Sequence, residues 1–325
     1  MKKIIAMLLA VMMVLSMAAC GSGEAAAEAS ADKYVVGVCQ LVPHAALDQA
    51  TQGFVDKLTE LLGEENVEIQ VKVAAGDSAT CAPIVTDFVT QEVDLIMANA
   101  TPALQAAAAA TNEIPILGTS VTEYGVAMGI ENFSGTVGGN ISGTSDLAPL
   151  DMQADMITEW CPDAKTVGLL YCSAEANSQY QVDTVQAYLE EKGLTVTQYP
   201  FADSNDMAAV TQTACDNSDV IYVPTDNTVA SSTGIIDGIC QPAGVPVIAG
   251  ESGICKGCGI ATLSISYYDL GVKTAEMAAQ ILKGEADIST MAIAYADKQT
   301  PMYNEGICAA LGITPVEGYE ILPME

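Results

Sequence analysis

Arginine is absent from this chain, histidine occurs once, at His44, and the aromatic residues are one Trp, four Phe and twelve Tyr. Without guanidinium groups there is no planar, two-pronged clamp for a carboxylate or phosphate. An anionic ligand group must then be held by backbone N–H groups at helix N-termini, by hydroxyls or by lysine. Eleven lysines stand against 41 acidic residues, for a net charge of −30, and this balance repels phosphate backbones and excludes nucleic acid as a partner. A single histidine leaves any four-ligand metal site dependent on distant cysteines, so no metal and no other cofactor is expected. The sequence has no GxSxG and no GxxxxGK[ST] element, and with one histidine it lacks an evident base and nucleophile pair, so catalysis is not expected. The scarcity of aromatics also speaks against a site that sandwiches a sugar or nucleoside between rings.

Long apolar runs are missing too, except at the start. There "MKK" supplies positive charge, "IIAMLLAVMMVLSMAA" an apolar stretch, and Cys20 follows small residues in "SMAAC", the layout of a secretory signal over residues 1–19. The cysteine at the cleavage position resembles a bacterial lipobox, which implies lipidation of Cys20 and a chain held extracytoplasmically on the cell membrane. Residues 20–33, small and acidic, read as a flexible linker behind that anchor. Setting Cys20 aside leaves nine cysteines, an odd number, so they cannot all pair within one chain. Cys39, Cys172, Cys215 and Cys240 lie in or beside apolar segments and read as small buried side chains. "CKGC" at Cys255 and Cys258 sits in what reads as a Gly-rich loop, and a local disulfide or free thiols are favoured there over metal or redox chemistry.

What the chain does have is one α/β unit written twice. Residues 35–124 run "YVVGVCQ", an amphipathic helix "DQATQGFVDKLTELLG", "VEIQVKVAAGD", a helix ending near Gln91, "VDLIMANAT", an Ala-rich helix and "IPILGTS". Residues 166–253 answer with "TVGLLYCSAEANS", "YQVDTVQAYLEEKG", "LTVTQYPFADSND", a helix ending near Asp216, "SDVIYVPTDN", a short helix and "VPVIAGES". Near-continuous apolar strands alternating with helices imply parallel sheets covered on both faces. The fold class expected is α/β, with two Rossmann-like lobes whose strand-end loops face one another across a cleft.

Those loops supply the candidate ligand-binding residues. In the first copy they are Gln40 and His44 from "QLVPHAALDQ", Asn99 and Thr101 from "ANATPALQ", and Thr119 and Ser120 from "GTSVTEYG". Asp48 can cap or open the first helix, and Asp77 and Ser78 read as a helix cap. Thr101 followed by Pro102 reads as an N-cap with proline at the first helical position. In the second copy the loops carry Glu175, Asn177 and Ser178, then Thr225 and Asp226, then Glu251. A carboxylate at the end of a buried strand needs a cation or a hydrogen-bond donor, so Glu175 and Asp226 are candidate seats for a ligand ammonium, with helix capping as the other reading of Asp226. Tyr124 and Tyr268 are candidates for an aromatic wall, although packing in the core is the commoner fate of a tyrosine. Between the copies "GNISGTSD", which includes the candidate Asp146, reads as the crossing from one lobe to the other, followed by a helix from about Pro149 to Trp160. The helix in "YYDLGVKTAEMAAQIL" then returns to the first lobe and "STMAIAYADK" goes back, giving a hinge of three segments. Lobe 1 is expected to comprise 34–143 plus about 263–288, and lobe 2 144–262 plus about 289–325.

The set "GVCQLVPHAALD", "AAGD", "DLIMANATPALQAAAAAT", "IPILGTSVTE", "NISGTSD", "VGLLYCSAEANS", "IYVPTDNTV" and "YYDLGVKTAEMAAQIL" resembles the ABC-transporter substrate-binding lipoproteins of the tryptophan/tyrosine type, over residues 34–313. The chain departs from that pattern at Ala45, where "HPALD" reads "HAALD", and at Glu123 and Tyr124, where "TDP" reads "TEYG". The resemblance implies the type I periplasmic-binding-protein fold and a monomeric receptor that hands a small ligand, an amino acid and among these an aromatic one, to an ABC permease. A nucleoside or sugar receptor of the same fold, and a sensor ectodomain without transport, are the alternatives.

Overall fold

The structure, a computed structural model, describes residues 33–324; the expected secretory segment and the lipidated Cys20 lie outside the described residues. Five strands open the chain: β1 (Tyr34–Gln40), β2 (Val67–Val73), β3 (Leu95–Asn99), β4 (Ile116–Val121) and β5 (Ile141–Ser145). They alternate with helices α1 (Ala45–Leu62), α2 (Ser78–Thr90), α3 (Thr101–Ala110) and α4 (Tyr124–Met128). The second half continues with α5 (Leu150–Trp160), β6 (Thr166–Cys172), α6 (Ala176–Glu191), β7 (Thr195–Phe201), α7 (Ser204–Asn217), β8 (Val220–Val223), α8 (Asn227–Ala230), α9 (Thr233–Ala243), β9 (Val247–Ala249), α10 (Ser252–Cys258) and β10 (Ala261–Ser264). Helix α11 (Tyr267–Leu282), strands β11 (Ala294–Tyr295) and β12 (Thr300–Tyr303), helix α12 (Glu305–Leu311) and strand β13 (Glu320–Ile321) complete it.

Two sheets result, ordered β11-β5-β4-β3-β1-β2 and β13-β12-β10-β9-β8-β6-β7. All pairings are parallel except β10 with β12. Strands β3 and β4 are buried along their whole length, as a parallel sheet covered on both faces requires. Apolar clusters lie on the two sides of each sheet: Leu104, Phe88 and Tyr124 mark one side of the first, and Phe54, Met97 and Leu117 the other. The local signals behind this are ordinary ones. Helix α1 buries Leu47, Ala50, Phe54 and Leu58 at helical spacing, and α2 begins with a capping box between Asp77 and Thr80.

The chain crosses between lobes at 146–149, 265–266 and 296–299, which sets the division later than expected at all three places. "GNISGTSD" is not simply a crossing: Ile141–Ser145 is an interior strand of the first sheet. Its polar residues are buried because their hydroxyls are bonded, Ser142 to the Met291 carbonyl, Ser145 to the Thr122 carbonyl, and Thr144 to Thr119 and Thr274. Strand β11 pairs with β5 in the first sheet, so residues 294–295 belong to lobe 1 and not, as expected, to lobe 2. Helix α11 also returns to lobe 1, where it packs closely on α1: a Cβ at Gly53 would run into the Tyr268 carbonyl, and one at Gly271 into that of Ala50.

The nine cysteines among the described residues are free. "CKGC" is helical rather than a loop, because Glu251 accepts from the Gly253 and Ile254 N–H groups and caps α10. Cys255 and Cys258 point their thiols at backbone carbonyls, those of Gly259, which follows the helix, and Ile254 within it. No helix among the described residues is long and apolar enough to cross a membrane.

Candidate functional site

Register brings the first lobe's candidates level with one another: Gln40 on β1 pairs with Asn99 on β3, which pairs with Thr119 on β4. All three are buried. Gln40 is spent on its own loop, donating to the Val42 carbonyl and to Asp48 and accepting from Thr51, and the Thr119 hydroxyl accepts from Thr144. Asn99 donates to the Leu47 carbonyl and to Thr51, but its Oδ1 is buried without a partner. Next to it Ala100, with φ 93°, occupies the N-cap of α3 in place of Thr101, which moves one position into the helix with Pro102 behind it. The Thr101 and Ser120 hydroxyls are buried and unpartnered. Ser120 has φ 53° beside the bulge where β4 shifts register against β5. Two left-handed residues that are not glycine, flanking three unpaired polar atoms, are strain of the kind stored at binding sites.

The fourth unpaired atom is Oδ1 of Asp146, in the first crossing segment. Its Oδ2 accepts from the Tyr267 hydroxyl at 3.0 Å, and burial pushes the carboxyl above its usual range. Asp146 and Tyr267 line a small chamber together with His44 and Leu47 from lobe 1 and Thr225 and Glu251 from lobe 2. Tyr267 is therefore the aromatic residue that lines this chamber. Tyr124 is buried beneath β4 and β5 with its hydroxyl on the Thr144 carbonyl, and Tyr268 is 40 % exposed and bonds Asp56. Sequence reasoning did not single out Tyr267, whose partner Asp146 lies 121 residues away.

In lobe 2 the carboxylates have found partners within the chain. Glu175 accepts from the Asn227 backbone and side chain and from the Thr228 backbone and hydroxyl. Asp226 accepts from the Cys172 N–H, the Ser178 hydroxyl and the Val229 N–H, so it caps α8. Burial and the neighbouring Glu175 outweigh those donors and push Asp226 up to about 7. Burial does the same to Glu251, also to about 7. Asn177 donates to Glu175, Ser178 and the Thr225 carbonyl, which leaves its buried Oδ1 unpaired. Every oxygen of Glu175 and Asp226 is thus engaged before a ligand arrives, whereas Asp146 keeps one free.

Next to Asn227 the lobes flank a half-open space of about 410 Å³, lined by Pro102 and Gln105 on one side and Glu175 and Thr228 on the other. That volume falls in the range of small-ligand sites. Among the described residues no group of three or more His, Cys, Asp or Glu is arranged to hold a metal ion.

A family model of ABC transporter substrate binding proteins matches residues 35–323. A tyrosine-binding protein of Clostridioides difficile (strain R20291) is 33% identical over 278 residues, which are 85% of this chain and 80% of the relative. An ABC domain from Streptococcus pneumonia in complex with L-Trp is 32% identical, with a TM-score of 0.83 over 88% of this chain and 97% of that one. A ligand-free, open substrate-binding protein with adhesive properties from Clostridium difficile is 37% identical but has a TM-score of only 0.68, over 90% of this chain and 100% of that one. The ligand-free, open relative thus superposes less well than the L-Trp complex despite its higher identity. The two facing parallel sheets, the three crossings and the family match together establish that the chain belongs to the ABC transporter substrate-binding proteins.

Proposed function

We propose that this protein is the extracytoplasmic receptor of an ABC importer for an L-amino acid with an aromatic side chain, held in the interlobe cleft as a zwitterion. The observation that carries the reading is the set of buried, unpartnered polar atoms on the first lobe and hinge: Thr101 Oγ1, Ser120 Oγ, Asn99 Oδ1 and Asp146 Oδ1. The hydroxyls and the N-terminus of α3 suit a carboxylate, which in a chain without arginine has few other seats. Asp146, with its one free oxygen, suits the ammonium. The side chain then extends past Tyr267 and His44 toward the larger cavity. The ligands of the relatives from Clostridioides difficile and Streptococcus pneumonia, tyrosine and L-Trp, support an aromatic side chain. Ligand contacts to both lobes favour closure, because the closed state is the one that binds better.

The test is a thermal-shift screen of the purified protein against L-Tyr, L-Trp, L-Phe, L-Leu, adenosine and glucose. An aromatic amino acid at about a hundred times its Kd should stabilise by roughly 2.7 kcal/mol and raise Tm by roughly 5 °C or more. A shift with adenosine or glucose and none with amino acids overturns the reading. Attachment through a lipid on Cys20 belongs to the same proposal: Cys20→Ser should release the protein from the membrane fraction into the medium, and retention of the variant would count against the anchor.

A further inference from the structure

Lobe 2 holds two thiols in contact. Cys215, in the last turn of α7, and Cys240, near the end of α9, have their sulfurs 3.2 Å apart, on two helices that pack together. Cys255 and Cys258, the pair that sequence spacing favours, face backbone carbonyls instead. Closing the Cys215 and Cys240 contact to a disulfide bond of about 2.05 Å needs a shift of only about one ångström. The segment they bracket, residues 216–239, contains β8 and the loop that presents Thr225, Asp226 and Asn227 to the cleft.

We propose that Cys215 and Cys240 are an oxidation site at which hydrogen peroxide installs a disulfide across α7 and α9. Cys215 is the thiol oxidised first, being 7 % exposed against 2 % for Cys240, with the second thiol placed to give it a hydrogen bond. The Cys215 thiolate attacks one peroxide oxygen, the O–O bond breaks, and the departing hydroxide takes up the proton that the thiol released and leaves as water. Cys215 is then a sulfenic acid. The Cys240 sulfur, losing its own proton, attacks the sulfenyl sulfur; the S–S bond forms, the S–O bond breaks, and the hydroxide leaves with that proton as a second water. Two thiols lose two electrons and two protons, and one peroxide is reduced to two waters. An extracytoplasmic address is where such a bond persists. The bond closes a loop of 24 intervening residues, which include Asp226, and stabilises the folded protein by restricting the unfolded chain.

The experiment treats the full chain, extracted and purified in detergent, with hydrogen peroxide, then alkylates remaining thiols under denaturing conditions, cleaves after both Asp and Glu, which places Cys215 and Cys240 on separate peptides, and maps the products by mass spectrometry. The expected result is two fewer alkylated cysteines, a cross-linked peptide joining Cys215 to Cys240, and a Tm higher by roughly 5 to 10 °C that dithiothreitol reverses. Cys215→Ser and Cys240→Ser should each abolish the cross-link and the Tm gain. A sulfinic acid on Cys215 with Cys240 still alkylated, unchanged thiols, or a cross-link between other cysteines overturns the proposal. The peptide map of the wild-type protein decides the matter even where a serine variant does not fold.

Discussion

The imidazole of His44 joins the two lobes: its Nε2 lies 3.2 Å from Oδ1 of Asn227, across the cleft. Asn227 gives its own Nδ2 to the Glu175 carboxylate at 2.6 Å, so Oδ1 is the atom left facing His44 and Nε2 must be the donor. Burial lowers the His44 pKa below 6.5, against the opposing pull of Asn227, Glu175 and Asp48, and the closed cleft therefore holds a neutral ring protonated at Nε2.

The sign of the pH effect follows. With the ring exposed and of ordinary pKa in the open state, the open form binds a proton below about 6.5 that the closed form refuses, so closure is unaffected above that value and weakens as pH falls through it. Ligand affinity, measured by calorimetry between pH 8 and pH 5, should drop several-fold on the acid side. The carboxylates add slopes of their own, so the decisive quantity is the ratio of wild-type to His44→Gln affinities. That ratio should decline as pH falls below about 6.5, and a constant ratio would remove His44 as the latch.

Asp146 faces the opposite demand, since its free buried oxygen is a liability until a cation meets it. Asp146→Asn keeps the shape and removes the charge. The unliganded protein should melt at the same temperature or slightly higher, while affinity for an aromatic amino acid should fall roughly 30- to 100-fold, corresponding to about 2 to 3 kcal/mol for a charged hydrogen bond. Unchanged affinity with a lowered Tm would mean that Asp146 serves the hinge and not the ligand.

Much of this architecture was legible in the chain, because strands such as "VDLIMANAT" and "SDVIYVP" announce themselves by continuous apolar runs. Strand β5 was not. Its sequence Ile141–Ser145 is mostly small and polar, and only the hydroxyl pairings to β4, α11 and the Met291 carbonyl make its burial tolerable. At the ends of β3 and β4, parallel pairing sets Asn99 level with Thr119. Capping carboxylates and ligand-holding carboxylates look alike in sequence, and only the geometry shows that the oxygens of Glu175 and Asp226 are taken up by α8 and its neighbours. Tyr267 was out of reach for a different reason: nothing near it in the chain reveals that α11 starts beside Asp146.

Asp226 is expected to act on the stability of lobe 2. Its carboxylate accepts from Cys172, Ser178 and Val229, and an amide N–H would face those donors, so Asp226→Asn should cost about 2 to 3 kcal/mol in urea unfolding at pH 8, where the carboxylate is charged. The folded pKa, up at about 7, also makes its contribution pH-dependent. The stabilisation is complete below the unfolded value of about 3.9 and is lost as pH rises through about 7. Wild-type stability should therefore decline across that window more steeply than that of Asp226→Asn, and equal slopes would contradict the assigned burial.

The hinge offers a last test that involves no charge. Helix α11 leaves the second lobe's strand β10 yet lies against α1 of the first, and it comes close enough for Gly271 to sit on the Ala50 carbonyl and Gly53 on that of Tyr268. A methyl group at either position would meet backbone rather than a side chain that can rotate away, so the helices must separate. Gly271→Ala should destabilise by about 1 to 3 kcal/mol. Because α11 follows directly on the crossing at 265–266 and begins with Tyr267, the displacement should also move the Tyr267 hydroxyl from Asp146 and weaken ligand binding. A Ser substitution at exposed Gly284, which has open space for a Cβ but φ 69°, provides the control: a loss of stability of about 1 kcal/mol with affinity intact. If Gly271→Ala leaves both melting and affinity at wild-type values, the two helices are not held at the separation that the facing glycines imply.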